Sequence, residues 1–264
     1  MSSLRRLPLI LLMVLIVPAL GIASGPFDSP VKVRRVRLDA KRQISCYYYH
    51  SIVVKQIDYG EVGADRLALL PVLLRDATPC REARETTEYT IPSDTWSGYF
   101  EGVKDDYAFF RAADGTNGGL NFMVLRIYDR KPLFEDTAQH GIRSVEIQEG
   151  ALKLRYQRVF QGSCSVERDD SCREALVRDT GVAAASLSIC AGGYQMARQN
   201  LAKARCAAQP SRDKDCIRSE LAGIDQQGWG DAPTVIVYEV EAILKGDSRV
   251  FNRRSDALLC HPAD

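Results

Sequence analysis

The sequence predicts a mainly β, α+β protein: an antiparallel β meander, sandwich-like or closed into part of a barrel, with a helical, disulfide-stapled insertion before the C-terminal strand. Three observations predict it. From about Val31 to Phe160 short β-branched and aromatic runs alternate with Gly, Asn and Asp reversals; around Asp169 the apolar period changes from two to about 3.6; and eight cysteines are spread from Cys46 to Cys260. With 264 residues, 45% of them hydrophobic, the chain has the length and the apolar content for one large domain or two small ones.

The first element is a leader. Arg5 and Arg6 form a positive start, Leu7 to Leu20 an apolar stretch interrupted by Pro8 and Pro18, and Gly21-Ile22-Ala23-Ser24-Gly25 a small-residue site, so residues 1–23 are expected to be a cleaved secretory signal. The apolar run is short for a bilayer span, which needs about 20 residues. Without Arg5 and Arg6 the chain holds 33 bases against 34 acids, a balance that argues against nucleic acid as a partner.

Strands are expected at 43–49, 51–58, 66–70, 87–91, 96–103, 107–112, 120–128, 144–148 and 151–160. Several are joined by residues suited to tight reversal: Lys104-Asp105-Asp106, Asp114 to Gly119, Asp129-Arg130-Lys131 and Glu149-Gly150. In 151–160 Leu152, Leu154 and Tyr156 alternate with Lys153, Arg155 and Gln157, as a strand with one buried face requires. The domain reading that follows is an antiparallel β domain over 24–165 plus 232–264, with a helical insertion at 166–231.

Within the insertion, Ser171-Cys172-Arg173-Glu174 reads as a capping box and Gly181 as the stop of the first helix. A second helix is expected after Gly193 with Tyr194, Ala197, Leu201 and Ala204 on one face, and a third after Asp213 with Ile217, Leu221 and Ile224. The chain then returns to a strand at 234–244.

All eight cysteines (Cys46, Cys80, Cys164, Cys172, Cys190, Cys206, Cys216, Cys260) follow the leader, and an even number in an exported chain predicts four disulfides. Cys206 at the end of one helix and Cys216 in the first turn of the next are the preferred pair, a clamp across Gln209-Pro210-Ser211. No C-x-x-C occurs and His50, His140 and His261 have no ligand-like spacing, so no metal and no cofactor are expected.

Motifs for catalysis are missing: there is no G-x-S-x-G, H-E-x-x-H, G-x-x-x-x-G-K or G-x-G-x-x-G. No catalytic residue is assigned. Asp114, Asn117 and Asn121 place oxygens in a glycine-rich reversal, which reads as a hairpin turn with capped backbone groups or as a metal or glycan contact, although one carboxylate is few for Ca²⁺, which takes six to eight oxygens. Adjacent acids such as Asp105-Asp106, Glu135-Asp136 and Asp169-Asp170 point to opposite sides of an extended chain, so none is by itself an acid and base pair.

Two features suit binding. Trp96 and Tyr99 flank a glycine and could stack on a glycan or a partner side chain, although core packing explains Trp96 as well. Lys32, Arg34, Arg35, Arg37, Lys41 and Arg42 could attract anionic envelope lipid or polymer, or guard a solvated edge strand. Binding candidates are therefore Trp96, Tyr99, Asp114, Asn117 and Asn121. The expected protein is periplasmic or secreted, a binding or interaction protein whose partner is an envelope protein or glycan; inhibition of another enzyme is one form of that role. Membrane contact is expected only through the leader or the basic strand. The alternative is a carboxylate-dependent hydrolase of envelope polymers using Glu135, Asp136 and Asp114.

Overall fold

A computed structural model describes residues 25–72, 79–207 and 214–263. The expected leader and the Gln209-Pro210-Ser211 link lie outside these residues. The chain forms two antiparallel sheets. The first runs in simple order through β1 (Lys32–Arg37), β2 (Gln43–Tyr48), β3 (Ile52–Asp58), β4 (Arg66–Pro71) and β5 (Tyr89–Ile91). The second holds seven strands: β6 (Gly98–Lys104), β7 (Tyr107–Thr116), β8 (Gly119–Arg126), β9 (Lys131–Gln148), β10 (Ala151–Gln161), β11 (Thr234–Lys245) and β12 (Ser248–Pro262). Helices α1 (Asp170–Thr180), α2 (Ile189–Ala207) and α3 (Lys214–Gln226) separate β10 from β11, which nonetheless pair.

The reversals form where residues tolerant of positive φ stand. Asn117 and Gly118 take φ of 54° and 75° between β7 and β8, and Glu149 and Gly150 take 52° and 74° between β9 and β10. Two successive positive φ values match the twist of a two-residue hairpin.

Several expectations are corrected. β9 is 18 residues long, where only 144–148 was expected. It turns at Gly141 (φ 74°) and its register shifts, so Lys131–Ala138 pairs with β8 while the later part pairs with β10, and no single alternation runs through it. β12 was not expected at all; as an edge strand with Arg253, Arg254 and Asp256 at its middle it lacks an apolar run. β6 starts at Gly98, leaving Trp96 in the turn before it, where its N–H donates to the Pro92 carbonyl. Helix α2 starts at Ile189, ahead of Gly192 and Gly193, and buries Cys190, Tyr194, Ala202 and Cys206 in place of the Ala204 face.

Helix α1 is capped by Asp169, not by a Ser171 box: the Asp169 carboxylate accepts from Ser171 N at 2.8 Å and from the Ser171 hydroxyl at 2.8 Å. Gly181 ends the helix at φ 68°, as expected.

Alternation on β7 and β8 divides the interior. Phe109, Phe122 and Val124 face a core shared with β9 to β12 and the helices, while Ala108, Phe110, Met123 and Leu125 face the five-stranded sheet. These strands are thus the common wall of a sandwich. The larger sheet also curls. Two strands lie between β12 and β9, which in a flat sheet would hold them about 14 Å apart at roughly 4.8 Å per step. Yet Arg249 of β12 donates to the Leu133 carbonyl of β9 at 3.1 Å, and Phe251 meets Phe134 with ring centroids 6.0 Å apart. The fold is therefore both sandwich-like and part-barrel.

Four disulfides join Cys46 to Cys80, Cys164 to Cys172, Cys190 to Cys260 and Cys206 to Cys216. The last is the expected clamp between α2 and α3. Four bridges fit an oxidising extracellular or periplasmic compartment. Among the described residues no helix is long and apolar enough to cross a membrane.

Candidate functional site

The sequence candidates do not converge on one site. Trp96 is half-buried against the core of the five-stranded sheet. The Tyr99 hydroxyl accepts from Gly63 N at 2.8 Å, and the Arg111 guanidinium lies 5.2 Å from its ring centroid. Asn117 is buried in its turn and donates to Gln161 Oε1 at 2.7 Å, while the exposed Asn121 accepts from the Thr137 hydroxyl at 2.7 Å. Asp114 is exposed at the far end of β7. The glycine-rich reversal is built as a hairpin braced on β9 and β10. Among the described residues no cluster of three or more His, Cys, Asp or Glu could hold a metal ion.

The acids behave as strand geometry requires. Glu135 and Asp136 pair with Met123 and Phe122, so they stand on opposite faces of β9. Asp136 turns inward and is fully engaged: it accepts from the Tyr156 hydroxyl at 2.5 Å and from Thr137 N at 2.9 Å, and lies 2.8 Å from Arg158 Nε. Burial pushes the Tyr156 hydroxyl far above its ordinary pKa, and the Asp136 carboxylate adds to this. Burial, the largest single influence, would lower the Arg158 pKa, but the Asp136 carboxylate together with the Tyr238 and Tyr156 hydroxyls outweighs it and the net direction is upward. Arg158 also lies 4.2 Å from the Phe251 ring centroid, so this group ties the curled edge of the sheet to its centre.

Of the histidines, His50 is exposed in the reversal between β2 and β3, and His140 is exposed on β9. His261 is half-buried, with Nδ1 2.8 Å from the Pro262 carbonyl. A hydroxyl cluster of Ser165, Tyr194 and Thr234 is buried where the helices join β11. Tyr194 donates its one O–H to the Ala232 carbonyl at 2.7 Å, and its oxygen lies 3.0 Å from the Thr234 hydroxyl. It fastens the insertion and faces no solvent.

Several concave surfaces stand open, and one of them is lined mainly by apolar residues. Helix α2 runs beside the end of β12, joined to it by the Cys190–Cys260 bridge. Gly193 permits the approach, because a Cβ there would come 1.8 Å from the Cys260 carbonyl oxygen. Between the two elements lies a groove of about 380 Å³ lined chiefly by Ile189, Gly192, Met196, Leu258, Leu259 and His261. Ile189, Met196 and Leu259 are 52%, 63% and 56% exposed, which leaves three large apolar side chains in water along one cleft. Gly192 has no packing reason to be glycine, since a Cβ there meets nothing within 4 Å. A glycine inside a helix costs about 1 kcal/mol relative to alanine, and this one lines the groove.

The sequence reading missed this groove because it began the helix after Gly193. The available signal was Ile189 and Met196 at a spacing of seven, two helical turns, across a pair of glycines. Chemically the groove offers apolar contact, with the Asn200 amide and the His261 ring at its margin. No family model, curated protein or solved structure matches the chain.

Proposed function

We propose that this chain is an exported, disulfide-stapled binding protein of the cell envelope whose partner is another protein, and that the α2–β12 groove receives apolar side chains of that partner. The groove with its three exposed apolar residues carries the reading. Its size suits one or two side chains more than a lipid, and the Cys190–Cys260 bridge fixes its walls against widening. Exposed Met is a common contact at protein interfaces because its thioether adapts to varied surfaces. The leader-like sequence and the four disulfides support export. Inhibition of another enzyme is one form such binding takes.

The test is a pull-down of the oxidised mature chain against envelope extract, beside Gly192→Leu, which fills the groove from its open side. A partner protein retained at high salt by the wild type and lost by Gly192→Leu is the expected result. Equal capture by both, or recovery of glycan or lipid alone, overturns the assignment of the groove.

A further inference from the structure

The five-stranded sheet ends on β1, which has β2 on one side and, among the described residues, no strand on the other. Its six residues hold four cations and no acid, and all but Val36 are exposed. The nearby acids are engaged elsewhere: Asp39 holds Arg42 at 2.5 Å and Glu82 accepts from the Tyr59 hydroxyl at 2.7 Å. Among the described residues no carboxylate forms an ion pair with Lys32, Arg34, Arg35 or Arg37. This is a local patch, since the whole chain has 35 bases against 34 acids.

The cations are split between the two faces of the strand. Lys32 and Arg34 stand opposite Tyr48 and Cys46, while Arg35 and Arg37 stand opposite Ser45 and Gln43. We propose that the free edge of β1 docks an extended acidic segment of a partner protein, which adds to the sheet as a further strand. Such a segment satisfies both features of the edge together. Its backbone pairs with the outward N–H and C=O groups of β1, and its carboxylates on either face meet the four cations in charge-assisted hydrogen bonds. A second copy of the chain is a poor occupant, because it would bring the same four cations. A bilayer plane meets a strand from one face and leaves the backbone edge unpaired.

This surface belongs to the opposite sheet from the α2–β12 groove and stands independently of it. The test uses the oxidised protein and a fluorescent peptide containing Glu-Val-Glu-Glu-Val-Glu, the charge mirror of β1. The same peptide N-methylated at all six residues keeps the charge but has no N–H to donate on either edge, so it cannot pair as a strand. Vesicles of phosphatidylcholine with phosphatidylglycerol are the third probe. The parent peptide is expected to bind about tenfold more tightly than the N-methylated one, a factor carried by one or two net hydrogen bonds. Arg34→Glu/Arg35→Glu is expected to abolish binding, with Arg34→Ala/Arg35→Ala intermediate and Gly192→Leu without effect. Both residues are exposed, so circular dichroism of these variants is expected to match the wild type. Equal binding of the two peptides, binding of vesicles but not peptide, or binding of no probe would each overturn the proposal.

Discussion

Lys55 and Glu88 form an ion pair in which neither side chain reaches solvent, their exposures being 1% and 0%. Lys55 stands on β3 between Val53 and Ile57, on the sheet face that turns away from the sandwich. Its ammonium donates to Glu88 and to the carbonyls of Arg81 and Ala83, at 3.3 and 3.1 Å, so each of its three N–H groups has an acceptor. Its register partner on β2 is Cys46, which is bridged to Cys80. A covalent bond and a buried charge pair on adjacent strands thus hold the same loop against the sheet.

Glu88→Ala leaves that ammonium buried without its counter-charge and is expected to cost about 3–5 kcal/mol in urea unfolding. Lys55→Met/Glu88→Leu removes both charges and is expected to recover most of the loss. A single variant as stable as the wild type would show that water reaches this pair.

The bridges differ in the loops they close, 70 residues for Cys190–Cys260 and 8 for Cys164–Cys172. Chain entropy assigns them roughly 4.5 and 2.5 kcal/mol. Replacing each pair by alanine and comparing unfolding midpoints checks the order. Cys190→Ala/Cys260→Ala also frees α2 from β12, so this variant is expected to lose the groove as well.

The neighbouring glycines of α2 are expected to respond in opposite directions. Gly192→Ala enters open space and should stabilise by about 0.5–1 kcal/mol, the ordinary helix preference for alanine. Gly193→Ala drives a methyl group into the Cys260 carbonyl and should lower the melting temperature. If both raise it, α2 does not lie where the structure places it.

Burial raises the tyrosine hydroxyls at several core positions, Tyr49 to about 12 and Tyr156 and Tyr238 in the same direction. An unfolded tyrosine titrates near 10, so the folded state holds these protons while the unfolded state releases them. This stability is complete below about pH 10 and is lost as pH rises toward about 12. In an alkaline titration tyrosinate absorbance from the buried rings is expected to appear together with loss of near-ultraviolet circular dichroism. Full ionisation with the dichroism intact would contradict their burial.

Local order in this chain was legible wherever one physical cause acts along the sequence. Alternation in Leu152, Leu154 and Tyr156 marks a half-buried strand, Asn117-Gly118 and Glu149-Gly150 mark tight reversals, and Gly181 marks a helix end. Cys206 and Cys216 were readable as a pair because two helix ends and a short link leave them little choice of distance. Tertiary structure decided what depends on partners far apart in the chain. Only the curl of the sheet makes Phe251 and Phe134 neighbours, and only the approach of α2 to β12 makes a groove of Ile189, Met196 and Leu259. The same holds for Asp136, an acid whose engagement with Tyr156 and Arg158 no local spacing encodes, and for Lys55, whose burial depends on Glu88, 33 residues further along the chain. A side chain's role in packing or recognition is set by what meets it in space, and a sequence lists only what precedes and follows.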